Sequence, residues 1–236
     1  MKGSIDFQFT FTYDGKPIKL GDTLYQIPSG NFIQIDEIQY FISNVSLIDA
    51  SGNRQSLVET RNTAHYVDIK DTPTLTWTTR ENLNAGVYEY VEFVYGFTES
   101  ENRSNRFVNP PESFMFWPEA LGGGYHYMKI NGKWKRANAD SVEFQNFGLH
   151  TGVGQSWENG VAVSFHPNYV VIRDSLQLFV TASSSRTLQI NMEVSNWFSN
   201  PNLWNFELYG GGIMQNQKAQ QALKENAWNV FSIKIL

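Results

Sequence analysis

The sequence predicts an all-β chain, an antiparallel β-sandwich of Greek-key, immunoglobulin-like type with one short helix near the carboxyl end. Three observations predict it. Apolar and polar residues alternate with period two along several stretches. Turn-forming residues separate those stretches at the spacing expected of a sandwich. Only one segment carries a helical apolar stripe.

The elements follow in order. Ile5, Phe7, Phe9, Phe11 and Tyr13 alternate with polar residues, which describes a half-buried strand with one aromatic face turned inward. Asp14-Gly15 supplies a turn. Residues 33–48 are apolar-rich and read as one long bent strand or two short ones, closed by Asp49-Ala50-Ser51-Gly52. Residues 87–97, rich in Val, Tyr and Phe, read as a well-buried strand. Residues 125–130 and the segment from Lys133 onward flank Asn131-Gly132, a pair suited to a type I′ hairpin turn. Short strands are then expected at 142–149, 161–165, 169–172, 175–180 and 188–194. A helical turn is expected near 193–198. The helix is placed at 215–227, with Ala219, Ala222, Leu223 and Ala227 as its stripe and Asn216 as its N-cap. Phe231, Ile233 and Ile235 alternate again, as a closing strand. The stretch 99–124 is irregular, and a loop of that length points to a functional role or to a hidden element.

Length and composition narrow the function. The 236 residues are 41% hydrophobic, 15% aromatic and 17% charged, which supports one globular domain over the whole chain. A formal net charge of −5 gives no electrostatic footprint for nucleic acid. No run of about 18 apolar residues is present, so no transmembrane helix is expected. There are no cysteines, which excludes disulfides, thiolate metal sites and cysteine nucleophiles. No Gly-x-Ser-x-Gly elbow, Walker A loop or EF-hand loop occurs, so no catalytic motif marks the chain as an enzyme.

The most informative stretch runs from Phe114 to Trp134. On a strand from Tyr125, His126 and Met128 project to one face. Imidazole and thioether together suit a soft metal, copper and in particular Cu(I). His150, in Phe147-Gly-Leu-His-Thr-Gly152, joins them if an antiparallel neighbour brings it beside His126. The expected site is therefore His126, His150 and Met128, with Trp117 or Trp134 able to add a donor only after oxidation. The bland alternative makes His126 a half-buried structural histidine and Met128 core filler. His65 and His166 read as surface or structural residues. Trp117, Trp157, Trp197 and Trp204 lie in loop-like sequence and offer an alternative function, a carbohydrate-binding surface of exposed rings.

Four segments in order resemble the MbnP-like family of bacterial extracytoplasmic proteins in its Bacteroidetes-type form. They are Phe7–Phe11 with Asp14-Gly15-Lys16-Pro17 and Leu20; residues 38–47; Met115-Phe-Trp-Pro with residues 123–132; and Phe147-Gly-Leu-His-Thr-Gly152. The tail, Ile213-Met214, Ala222-Leu223, Asn226-Ala227 and Phe231, is similar to the family's closing helix. The resemblance implies a secreted or lipid-anchored β-sandwich in the periplasm or on the outer membrane, with copper as ligand. It implies a signal upstream of residue 1, ending in a lipidated cysteine, as the only link to a membrane. It also implies a di-haem partner related to cytochrome c peroxidases. In a related copper protein of methane oxidisers, two histidines and an oxidised tryptophan hold the metal, the tryptophan two residues before one histidine. Here Gly124 and Gly148 stand at those positions.

Overall fold

Phe7, Phe9 and Phe11 all turn inward, as their alternation requires, and they line one wall of the core. The computed structural model describes residues 4–58, 63–79, 83–136, 143–181 and 185–236. Its strands, in chain order, are β1 (Ser4–Tyr13), β2 (Lys16–Pro17), β3 (Tyr25–Gln26), β4 (Phe32–Asp49), β5 (Arg54–Ser56), β6 (Ala64–Asp68), β7 (Thr76–Thr78), β8 (Gly86–Tyr95), β9 (Met128–Lys135), β10 (Gln145–Thr151), β11 (Gly154–Glu158), β12 (Val161–His166), β13 (Val170–Val180), β14 (Ser185–Glu193) and β15 (Phe231–Ile235). The helices are α1 (Phe206–Tyr209) and α2 (Gln217–Asn226).

The strands form two facing sheets, the sandwich the alternation predicts. One has the order β15-β14-β1-β2, with β7 also on β1. The other has the order β10-β9-β4-β8-β13, with β3, β5 and β6 also on β4. The β11–β12 pair stands apart as a hairpin. β1 runs parallel to β14, while every other strand pair among the described residues is antiparallel. Parallel neighbours need a crossover, and here most of the chain lies between the two. Tyr40 of β4 joins the layers: its ring meets Phe9 at 6.5 Å, Phe11 at 6.0 Å and Phe231 at 5.7 Å. The sheets are also stitched at an edge, where Asp174 of β13 accepts the Ile233 N–H of β15 at 2.9 Å.

β4 is the predicted long strand, and it bends at Asn44, whose φ is 54°. Its register with β8 slips there, between Ser43 and Ser46. β13 unites two expected strands across a bulge between Ser175 and Leu178. The strand expected from residue 142 is β10, starting at Gln145; residue 142 itself lies outside the described residues. Helix α2 is capped as predicted, Asn216 Oδ1 accepting the Ala219 N–H at 3.1 Å. β6 and β11 had no alternation strong enough to mark them.

Asn131-Gly132 is not a hairpin turn. The pair lies inside β9, opposite Gly148 and Phe147 of β10 and Glu37 and Ile35 of β4. The register with β4 slips between Ile35 and Glu37, and that bulge pushes a carbonyl toward Gly132. A Cβ on Gly132 would meet the Gln34 carbonyl oxygen at 2.0 Å. The glycine serves a close backbone approach, and the local dipeptide pattern carries no sign of it.

Candidate functional site

The irregular stretch 99–124 folds back on the chain that follows it. Trp117 N–H donates to the Gly124 carbonyl at 2.8 Å, Phe116 bridges Tyr125, and His126 N–H donates to the Met115 carbonyl. This clamp places His126 just before β9 begins. β10 pairs with β9 so that His150 lies opposite Lys129. From the helix side, Gln220 of α2 is fully buried and its amide donates to the His150 carbonyl at 2.7 Å, fixing that stretch of backbone.

These contacts bring the two predicted histidines together. Their ring centres lie 5.1 Å apart at an interplanar angle of 82°. Two imidazole donors to a single ion lie no more than roughly 4 Å apart, so a shared ion requires one nitrogen of each ring to turn toward the other. Trp117, buried, stands edge-on to His126 with centres 4.7 Å apart.

The hydrogen bonds assign a tautomer to each ring. His126 Nδ1–H donates to the Met115 carbonyl at 3.0 Å. The lone pair is then on Nε2, which is buried and has no partner. His150 Nε2 donates to Asn131 Oδ1 at 2.8 Å, which leaves its lone pair on Nδ1. Both rings are neutral. Burial, then Lys129, then His150 hold His126 down to about 3. Burial and then Lys129 hold His150 down to about 4. A metal needs the neutral ring, and a ligating imidazole donates its other nitrogen to a carbonyl or similar acceptor. Each ring meets both conditions.

Met128 is not brought to the pair. His150 shares a face with its register partner Lys129, and Met128 points the other way, fully buried in the core. The alternation that would align it with His126 fails because the strand begins only at Met128. Of the two tryptophans considered as oxidisable donors, Trp117 adjoins His126, whereas Trp134 stacks on Phe206 at 5.1 Å. Neither position two residues before a histidine has room for a tryptophan. A Cβ on Gly124 would meet Asn102 Oδ1 at 2.3 Å, and one on Gly148 would meet His150 Nε2 at 3.0 Å. Among the described residues no group of three His, Cys, Asp or Glu side chains is placed to hold a metal.

The other histidines are structural, as read. His65 is stacked between Phe9 at 5.2 Å and Trp77 at 5.0 Å, and its Nε2–H donates to the Thr74 carbonyl. His166 contacts Ser156 Oγ at 2.6 Å. Trp117, Trp197 and Trp204 are core residues, and of the four loop tryptophans only Trp157 is exposed, at 38%. Their burial removes three of the four rings expected on a glycan surface. Sequence reasoning missed Asn131, Lys129 and Glu37 as parts of the site, because the contacts that recruit them are cross-strand.

A family model described as MbnP matches residues 2–215 of the chain. Among solved structures, MbnP from Methylosinus trichosporium is similar with a TM-score of 0.63 and 14% identity, over 98% of this chain and 98% of its own. At that identity the likeness is one of fold. No curated protein sequence matches the chain significantly.

Proposed function

The chain belongs to the MbnP family, and from that premise we propose that it is an extracytoplasmic copper-binding protein, not an enzyme, whose metal is held by His126 and His150. The observation that carries the reading is the buried Nε2 of His126, which has no partner beside a second imidazole 5.1 Å away. Burying a polar nitrogen without a hydrogen bond costs roughly 1–3 kcal/mol. Such an atom calls for an explanation, and a soft cation supplies it. The donor chemistry fits: two neutral imidazoles suit copper. Bound copper would add a thiophilic, redox-active centre to an otherwise inert sandwich. Trp117, edge-on to His126, is the tryptophan proposed to join that centre if it is oxidised, and a di-haem partner of the cytochrome c peroxidase kind is the partner proposed to act on it. The periplasmic or lipid-anchored location rests on the family resemblance alone.

The test is a metal titration of the purified protein read by elemental analysis. The parent protein is expected to retain one copper per chain. His126→Ala and His150→Ala are expected to stay folded and retain none. A parent protein that binds no copper overturns the reading.

A further inference from the structure

Asn131 sits where a turn residue was expected, yet both ends of its amide are engaged. Its Nδ2 donates to Glu37 Oε2 at 2.7 Å, and its Oδ1 faces His150 Nε2 at 2.8 Å. The direction of the amide is forced. A carboxylate only accepts, so the NH2 group must face Glu37 and the carbonyl must face His150. The imidazole nitrogen opposite that carbonyl must then carry the proton. Glu37 is itself held, because Gln39 Nε2 donates to its Oε1 at 3.2 Å and to Asp68 Oδ2 at 2.9 Å. Asp68 also accepts the Tyr66 hydroxyl at 3.0 Å. A fixed polar row thus crosses β6, β4, β9 and β10 and ends on His150. Gly148 keeps its last link open: a Cβ there would lie 3.0 Å from His150 Nε2 and 3.3 Å from Asn131 Oδ1.

We infer that Asn131, oriented by Glu37, is a positioning residue that locks His150 as its Nε2–H tautomer, so that the nitrogens left with a lone pair are unlike, Nε2 of His126 and Nδ1 of His150. The Met115 carbonyl does the opposite for His126, holding Nδ1–H. Two rings of the same tautomer would turn one proton toward the ion. The metal part of this inference rests on the proposed copper function, while the tautomer part stands without it. The arrangement also gives the site a carboxylate one residue removed from the ligands. Glu37 compensates a bound cation through Asn131 without ligating it.

The experiment is a long-range proton–nitrogen NMR spectrum of the imidazoles in metal-free protein at neutral pH, followed by anaerobic Cu(I) competition titrations. In the parent, His126 should be protonated on Nδ1 alone and His150 on Nε2 alone. Asn131→Leu should turn the His150 pattern into a tautomer mixture, leave that of His126 unchanged, and weaken Cu(I) binding about 10–100-fold, the usual effect of losing an outer-shell partner. The double variant Glu37→Gln with Asn131→Asp reverses the donor and acceptor between the two residues and still offers His150 an acceptor. It should restore the parent pattern for His150. A parent spectrum with His150 protonated on Nδ1 overturns the inference without any variant having to fold. So does Asn131→Leu with the His150 pattern unchanged. If the parent shows the stated tautomers but binds no copper, the copper reading fails and the positioning role stands.

Discussion

The imidazoles of His126 and His150 meet edge to face, 82° apart in plane, although one precedes β9 and the other is the penultimate residue of β10. Among the described residues neither ring has a carboxylate directly against it in a hydrogen bond. Lys129 disfavours protonation of both. The result is a pair of neutral bases, one buried and one half-buried, which is costly for folding at low pH and suited to a metal.

The acid stability of the metal-free protein follows. His65, His126 and His150 are held down to about 4, 3 and 4, chiefly by burial. Unfolded histidine titrates near 6.5. Between those values the unfolded chain binds protons that the folded chain does not. Stability therefore rises with pH across this window and is lost as pH falls from about 6.5 toward 4. Thermal melts of metal-free protein should show the midpoint falling steadily from pH 7 to pH 4.5. His65→Phe, which keeps the stack on Phe9 and Trp77, should flatten that fall. An unchanged slope in the variant would show that His65 is not buried neutral.

Phe9 tests the inward face of β1. Its ring stacks on His65 and meets Tyr40 edge to face. Truncating a buried phenylalanine costs about 3–5 kcal/mol. Phe9→Ala should lower the urea midpoint by a matching amount, with the denaturant slope kept. A midpoint within error of the parent would place that face outside the core.

How much of this was legible in the sequence depended on whether the signal was local. β1 was readable because its burial alternates without interruption, and α2 because Asn216 caps it in sequence. Asn131-Gly132 was misread because a turn and a close strand crossing both favour glycine, and the partner that decides between them, Gln34, is nearly a hundred residues away. The His126–His150 pairing was foreseeable from two strand-end histidines. The place of Met128 was not, since one break in the ladder before β9 cancels the period-two argument. Glu37 and Lys129 reach the site only through cross-strand register.

That crossing makes Gly132 a test of register. A Cβ would sit 2.0 Å from the Gln34 oxygen, a contact that a central strand relieves only by parting from β4. Gly132→Ala should destabilise by about 3 kcal/mol or more, the upper end of the overpacking range. Gly15→Ala is the control: it has φ +72° in an exposed turn with open space around it. It should cost about 1–2 kcal/mol, from backbone strain alone. Equal losses, measured by chemical denaturation, would return Gly132 to a turn.

Lys129 would set the charge that the proposed copper site tolerates. Its ammonium donates to the Phe114 carbonyl at 2.8 Å and lies across from His150 in the ladder. At an effective dielectric of about 20, two unit charges a few ångströms apart repel by a few kcal/mol. A divalent ion doubles that repulsion. With two imidazoles as its fixed donors among the described residues, the ion that suffers least is monovalent and content with low coordination. Lys129→Met keeps the apolar stem and removes the charge. Competition titrations should then show Zn(II) binding strengthened at least about tenfold, and Cu(I) binding strengthened by the smaller factor its single charge dictates. Equal gains for the two ions would mean that the lysine acts on the shape of the site and not on its field. Phe114 is itself an exposed residue, and the variant is expected to fold as the parent does.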